Sequence, residues 1–132
     1  MTQVTKRFLL VDDDELNNSL SKIALKKSLG EVQINVFVVP EIGLEFIESD
    51  FTGQTHDKKT TLFLDINMPT MTGWEFLDKF GQFKKSIKDQ FNIYILSSSV
   101  DPSDINRAKE NPLVIDFIEK PLNKATLLKM FG

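Results

Sequence analysis

Short apolar runs alternate with segments of helical periodicity along most of this 132-residue chain. Five of the runs have the length and composition of buried strands, and they cover residues 8–11, 32–39, 62–64, 93–96 and 113–118. Because each strand is followed by a helical segment, the pattern is typical of a parallel sheet covered by helices. The sequence therefore predicts one α/β domain over residues 1–132, with a doubly wound, five-stranded parallel sheet and helices on both faces.

The helical segments carry recognisable start and stop residues. Leu16, Leu20, Ile23 and Ala24 lie at helical spacing after the first strand, and Gly30 follows them as a stop. Pro40 is suited to the first position of the second helix. The other three helices are predicted after residue 73, over residues 102–110 and over residues 122–131, and a polar surface loop is predicted over residues 52–60.

Composition excludes several kinds of protein. The chain has no Cys, which excludes disulfides, thiolate zinc sites and Cys nucleophiles and suits a reducing cytoplasm. A formal net charge of −3 argues against direct nucleic-acid binding. The apolar runs are far shorter than the ~20 residues that cross a bilayer, so no membrane insertion is expected. The 11 Phe residues, against one Trp and one Tyr, favour a large apolar core.

Polar side chains follow the predicted strands at the points where they end. Asp12 and Asp13 follow the first strand, Asp65 the third, Ser97 the fourth and Lys120 the fifth. In an open parallel sheet, ligands bind beyond the carboxyl ends of the strands. Converging carboxylates repel one another unless a cation is bound, and their hard oxygens suit Mg²⁺. This edge of the sheet is therefore the candidate site.

Each of these polar residues also has a plain structural interpretation. The acidic residues 12–14 can form a solvated turn in which Asp14 caps the next helix. Ser97 stands in a run of three serines that can be a polar turn, and Lys120 can be an exposed cation. Asn67 can supply an Asx-turn. The residue types alone leave these interpretations open.

The ordered set of motifs favours a functional site. Residues 65–73 read Asp-Ile-Asn-Met-Pro-Thr-Met-Thr-Gly, and they stand between Val-Asp-Asp at residues 11–13 and Glu-Lys-Pro at residues 119–121. This set resembles the receiver domain of two-component response regulators, and most of all small single-domain members such as the chemotaxis regulator. The resemblance covers residue 8 to about residue 131. It implies a flavodoxin-like (βα)5 fold and a phospho-accepting role in signal transduction rather than metabolic catalysis.

The resemblance implies a Mg²⁺ site that includes the phosphoacceptor. Asp65 matches the nucleophile that receives the phosphoryl group, and a carboxylate is a feasible nucleophile for this transfer. Asp12 and Asp13 match the acidic pair that binds Mg²⁺ with Asp65, Asp13 being the direct ligand and Asp12 acting through water. Asn67 matches the residue whose backbone carbonyl completes the metal site.

Two further matched residues contact the phosphoryl group, and a third responds to it. Ser97 matches the hydroxyl that hydrogen-bonds the phosphoryl group, and Lys120 matches the ammonium that neutralises its charge. Phe117 matches the aromatic residue of the switch. The resemblance also implies a cis peptide between Lys120 and Pro121.

The resemblance implies a sensor histidine kinase or a phosphotransfer protein as phosphodonor, as in a phosphorelay, and a downstream protein as target. His56 lies in a polar loop and is expected at the surface rather than as a donor. We expect no output domain and a short last helix, so the signal would leave through partner binding by a monomer or weak dimer. Asn67 and Ser99 leave room for an attacking water, which implies a short-lived phosphoryl state.

Two alternatives remain at this point. One is a phosphohydrolase of the haloacid-dehalogenase type, with Asp12 as nucleophile and Asp14 as acid/base. The chain is short for that fold with its cap, and residues 67–73 would then have no purpose. The other is a receiver that folds but is not phosphorylated. The matched positions all carry chemically competent residues, which disfavours the second alternative.

Overall fold

The computed structural model describes residues 6–53, 59–98 and 100–132, and within them it contains five strands and six helices. In chain order these are β1 (Lys6–Val11), α1 (Glu15–Leu29), β2 (Val32–Phe37), α2 (Pro40–Phe51), β3 (Thr60–Leu64), α3 (Gly73–Gly81), α4 (Lys85–Lys88), β4 (Phe91–Ser97), α5 (Pro102–Glu110), β5 (Val114–Glu119) and α6 (Lys124–Phe131). The five predicted strands are confirmed. The one-turn helix α4 is additional, and α6 begins two residues later than predicted because Asn123 caps it, accepting from the Thr126 N–H at 2.9 Å.

The five strands form one parallel sheet in the order β2-β1-β3-β4-β5, which confirms the predicted doubly wound topology. The register places Val11 beside Leu64, and Leu64 beside Ile95. Ile95 in turn pairs with Phe117. The strands therefore end at a common edge, and the residues that follow them are brought together there.

Helices cover both faces of the sheet. On one face, Leu9, Leu62 and Ile93 belong to a buried cluster with apolar residues of α2, α3 and α5. On the other face, Phe8 and Phe63 stack with ring centroids 6.1 Å apart and pack with residues of α1 and α6. Alternate residues of each strand thus enter opposite cores, as expected for strands that are apolar throughout.

Helix α1 is present as predicted, but three of the four apolar residues that indicated it are exposed. Leu16, Leu20 and Ile23 are 69%, 47% and 50% exposed. The helix buries Asn18, Ser21 and Leu25, and the fourth predicted residue, Ala24, packs half-buried against the same core. The apolar spacing therefore identified the helix without identifying the face that packs on the sheet.

His56 and Ser99 lie outside the described residues. Among the helices that the structure describes, none combines the length and the apolar character that crossing a membrane requires.

Candidate metal and phosphoryl-transfer site

The two buried carboxylates of the site follow the neighbouring strands β1 and β3. Asp12 directly follows β1 and Asp65 directly follows β3, and both residues are buried. The backbone extends the sheet at this point, since the Asp65 N–H donates to the Val11 carbonyl at 2.9 Å and the Asp12 N–H donates to the Phe37 carbonyl at 3.1 Å. Asp13 is exposed beside them. The sheet therefore fixes the backbone of the two buried acids.

The three acids converge. One carboxylate oxygen from each of Asp12, Asp13 and Asp65 lies within 4.8 Å of the other two. Hard carboxylate oxygens, two buried and one exposed, are the donor set that Mg²⁺ prefers. The side chains present therefore fit a divalent cation, as the sequence predicted.

Lys120 enters the same cluster from β5. Its Nζ lies 2.7 Å from Asp12 Oδ2 and 3.5 Å from Asp65 Oδ1, and its side chain is only 12% exposed. The Lys120 N–H donates to the Ser97 carbonyl at 2.8 Å, and the Lys120–Pro121 peptide is cis as the resemblance implied. One ammonium does not balance three carboxylates, so the cluster keeps an excess of negative charge for a cation.

The electrostatics of the cluster act on Asp65 and Lys120 in the same direction. Burial, and then the charge of Asp12, raise the pKa of Asp65 from 3.8 to about 6, against the opposing effects of Lys120 and the Ile66 N–H. Burial opposes the charge of Lys120, but its hydrogen bond to Asp12 and the charge of Asp65 outweigh that effect and raise the pKa of Lys120. A further positive charge beside Asp65 would therefore stabilise its ionised form.

The start of α3 packs directly against the backbone of Asp65. The Gly73 N–H donates to the Ile66 carbonyl at 2.8 Å. A Cβ on Gly73 would lie 2.5 Å from the Asp65 carbonyl oxygen, which is closer than real Cβ contacts. Thr72 and Glu75 form a capping box at the same helix end. Glycine is therefore required at position 73 for α3 to begin this close to the backbone of Asp65.

The first turn of α1 supplies contacts that the sequence did not indicate. Asn17 Nδ2 donates to Asp12 Oδ2 at 2.7 Å, and Asn18 Nδ2 donates to the Asp12 carbonyl at 2.8 Å. Asp14 caps the helix, because its Oδ1 accepts from the N–H groups of Leu16 and Asn17. The predicted capping role of Asp14 is confirmed. The paired asparagines are the signal that could have directed attention to this turn.

The remaining predicted residues lie on strands or loops that adjoin the cluster in the chain or in the sheet. Ser97 is buried at the end of β4, the strand next to β3. Asn67 is exposed two residues beyond Asp65, and Phe117 is half-buried on β5. The structure thus brings together Asp12, Asp13, Asp65 and Lys120, which form the central cluster. The roles of Ser97, Asn67 and Phe117 stay predictions.

A family model for the response regulator receiver domain matches residues 8–131. The chain belongs to this family. Receiver domains are signalling switches of two-component systems, so the family agrees with the function that the motifs implied. Membership leaves the haloacid-dehalogenase-type alternative without support, and the carboxylate of Asp14 caps α1 rather than facing the central cluster.

Solved structures agree with the family. A response regulator receiver protein from Dyadobacter fermentans is 26% identical with a TM-score of 0.83, and the match covers 96% of this chain and 94% of that one. A two-component response regulator from Cytophaga hutchinsonii is 27% identical with a TM-score of 0.83, covering 98% and 96%. The chemotaxis protein CheY4 of Vibrio cholerae shares the fold at 23% identity, with a TM-score of 0.71 and 96% of each chain covered. A comparison with curated protein sequences found no significant match.

Proposed function

We propose that this receiver domain accepts a phosphoryl group on Asp65 in a Mg²⁺-dependent reaction and thereby switches the binding of a protein partner. The observation that carries the proposal is the convergence of Asp65 with Asp12 and Asp13 within 4.8 Å, with the Lys120 ammonium 3.5 Å from Asp65 Oδ1. A nucleophile, a set of cation ligands and a fixed positive charge are the parts that phosphoryl transfer requires.

The donor is a phosphorylated histidine of a sensor kinase or a phosphotransfer protein. A carboxylate oxygen of Asp65 attacks phosphorus, a P–O bond forms and the P–N bond breaks, and the electron pair of the broken bond stays on the imidazole nitrogen. The product is an aspartyl phosphate. Water later attacks phosphorus, cleaves the P–O bond to Asp65 and releases inorganic phosphate, which restores the carboxylate.

The side chains around Asp65 have separate tasks in this reaction. Lys120 neutralises charge on the transferring phosphoryl oxygens, and the Ser97 hydroxyl donates to one of them. When bound by Asp12, Asp13, Asp65 and the Asn67 carbonyl, Mg²⁺ would supply further positive charge at the same oxygens. Deprotonated Asp65 is the reactive form, because an anionic carboxylate oxygen is a much stronger nucleophile than the oxygens of the neutral acid.

The switch follows from the new negative charge at Asp65. A dianionic phosphoryl group draws the buried Ser97 hydroxyl toward it, and Phe117 turns into the space that is vacated. Phe117 lies on the edge strand β5 beside α5, so its movement would alter the surface that α5, β5 and α6 present. A downstream protein would read that surface.

The test is incubation of the chain with acetyl phosphate and Mg²⁺, followed by intact-protein mass spectrometry. We expect one added phosphoryl group on the native chain, and none after chelation of Mg²⁺ or in Asp65→Asn. Asp78→Asn, which changes an exposed acid of α3 away from the cluster, is the matched control and should be modified normally. An unmodified native chain would identify a receiver that is not phosphorylated, and undiminished modification of Asp65→Asn would move the nucleophile elsewhere.

A further inference from the structure

Asn17 makes a hydrogen bond that secondary structure does not require. It stands in the first turns of α1, partly buried, and its Nδ2 donates to Asp12 Oδ2 at 2.7 Å. Asparagine is a weaker helix former than most residues, and its side chain tends to compete with the helix backbone. Here the amide donates to the acidic cluster and not to the helix backbone, so its hydrogen bond stabilises the cluster.

The Asp12 carboxylate is held on both oxygens. Oδ1 accepts from the Asp14 N–H at 2.9 Å, and Oδ2 accepts from both Asn17 and Lys120 at 2.7 Å. The Asp12 carbonyl accepts from the buried Asn18 amide at 2.8 Å. Both the backbone and the side chain of Asp12 are therefore tied to the start of α1.

The two partners of Oδ2 differ in charge and in what else they contact. Lys120 also reaches Asp65, and the proposed reaction requires it at the phosphoryl group, so its contact with Asp12 is shared. Asn17 is a neutral donor and has no such second task. A neutral donor fixes a carboxylate without neutralising its charge, which leaves the charge available to a cation.

We propose that Asn17 is a positioning residue that holds the Asp12 carboxylate in the orientation used for Mg²⁺ binding. The proposal rests on the function proposed above, since it assigns Mg²⁺ to the cluster of Asp12, Asp13 and Asp65. Asn17 does not contact the cation in this assignment. It acts through Asp12, as outer hydrogen-bond partners of metal ligands generally do.

The test is isothermal titration calorimetry of the unphosphorylated chain with MgCl₂. Asn17→Leu keeps a branched side chain of the same length but removes the donor, and it should raise the Kd for Mg²⁺ about tenfold. Ser19→Ala, at an exposed position of the same helix, is the matched control and should bind as the native chain does. Should Asn17→Leu not fold, as judged by circular dichroism, Asn17→Ala takes its place. A Kd within twofold of the native value would overturn the proposal.

A second measurement separates positioning from a general loss of structure. At saturating Mg²⁺, Asn17→Leu should accept phosphate from acetyl phosphate to the native extent, while its half-saturating Mg²⁺ concentration shifts by the same factor as the Kd. A reduced yield at saturation would assign Asn17 a different role and overturn the proposal. Failure of the native chain to accept phosphate would refute the proposed function, whereas an unchanged Kd in a native chain that accepts phosphate refutes only the role of Asn17.

Discussion

Asp65 lies where two opposing influences on a carboxylate meet. Burial and the neighbouring Asp12 disfavour its charge, while Lys120 favours it, and the result is a pKa of about 6. A cation bound between the acids would tip this balance toward the ionised form, which is the nucleophilic one. Burial and Asp12 disfavour the ionised form of Asp65 when no metal is bound, so the ionisation of Asp65 should depend strongly on whether a metal is bound.

The raised pKa of Asp65 predicts a pH dependence of stability in the absence of metal. The folded group titrates at about 6 and the unfolded group at 3.8, so the folded chain binds more protons between these values. The free energy of unfolding should therefore decrease as the pH rises through this window. Asp65→Asn cannot ionise, so it should lose this decrease and melt a few degrees higher than the native chain at neutral pH. The measurement is the melting temperature of both chains in the presence of a chelator, from pH 3.8 to about pH 7. An equal dependence of the melting temperature on pH in the two chains would contradict the prediction.

The acids and the lysine of the site could be predicted from the sequence, because a parallel sheet brings its strand ends to one edge. Asp12, Asp65 and Lys120 each directly follow or end a strand, and no side-chain detail is needed to place them together. Asn17 could not be found in this way. Its contact with Asp12 depends on the rotation of α1 about its axis, and the apolar spacing of that helix does not indicate that rotation.

Helix α3 depends on Gly73 for its position beside Asp65. Gly73→Ala would bring a methyl group to 2.5 Å from the Asp65 carbonyl oxygen, a backbone atom that cannot rotate away. We expect the loop from Asp65 to Gly73 to shift, with a loss of about 1–3 kcal/mol of stability and a lower yield of phosphorylation by acetyl phosphate. Urea unfolding and intact mass are the measurements.

The matched control for Gly73→Ala lies at the other end of the same helix. At Gly81 a Cβ would lie 3.5 Å from Leu113 Cδ1, an ordinary contact. Gly81→Ala should therefore be neutral or stabilising by up to about 1 kcal/mol, because alanine loses less entropy in a helix. Equal destabilisation by both substitutions would show that loss of glycine, rather than contact with Asp65, is responsible.

Helix α1 provides a test of which side faces the sheet. Leu25 is fully buried, whereas Ile23 on the same helix is 50% exposed. Leu25→Ala should lower the free energy of unfolding by about 2–5 kcal/mol, since it leaves a cavity in the core shared with α6. Ile23→Ala should change it by less than about 1 kcal/mol. The measurement is chemical denaturation of both variants. A larger loss of stability in Ile23→Ala than in Leu25→Ala would mean that α1 packs on the sheet through its apolar stripe of Leu16, Leu20 and Ile23.

The strands were easier to predict than the helices, and the reason is physical. A strand buried on both faces is apolar throughout, so its run is visible whichever way it faces. A helix such as α1 is recognised by a stripe, and a stripe can equally mark a core or an exposed surface. The one-turn α4 is too short to show any periodicity, so it could not be separated from the end of α3.

Across the whole molecule, the sheet connects Asp65, the proposed phosphoacceptor, to the edge strand β5. Asp65 follows β3, and β3 pairs with β4 and β4 with β5. Along this path Ile95 pairs with Phe117, and Ser97 pairs with Glu119. In the proposed switch, a displacement of Ser97 toward Asp65 would act on the strand that carries Phe117. Within the described residues, β5 is the last strand of the sheet, so its outer side is where a partner could pair or pack.

In the proposed switch, Phe117 carries that displacement to the surface. Phe117 is half-buried and packs against the edge of the core that contains Ala108 of α5. Because the ring is not enclosed by that core, it can move inward without breaking a fully packed environment. Phe117→Ala should leave phosphorylation of Asp65 by acetyl phosphate unchanged, because the ring contacts none of the reacting atoms in the proposed reaction. It should abolish the phosphorylation-dependent change in amide hydrogen exchange over α5 and β5 that we expect in the native chain. Ile115→Ala, an exposed position on the same strand, should retain that change. An exchange response of native size in Phe117→Ala would assign the coupling to the β4–β5 backbone instead of to this side chain.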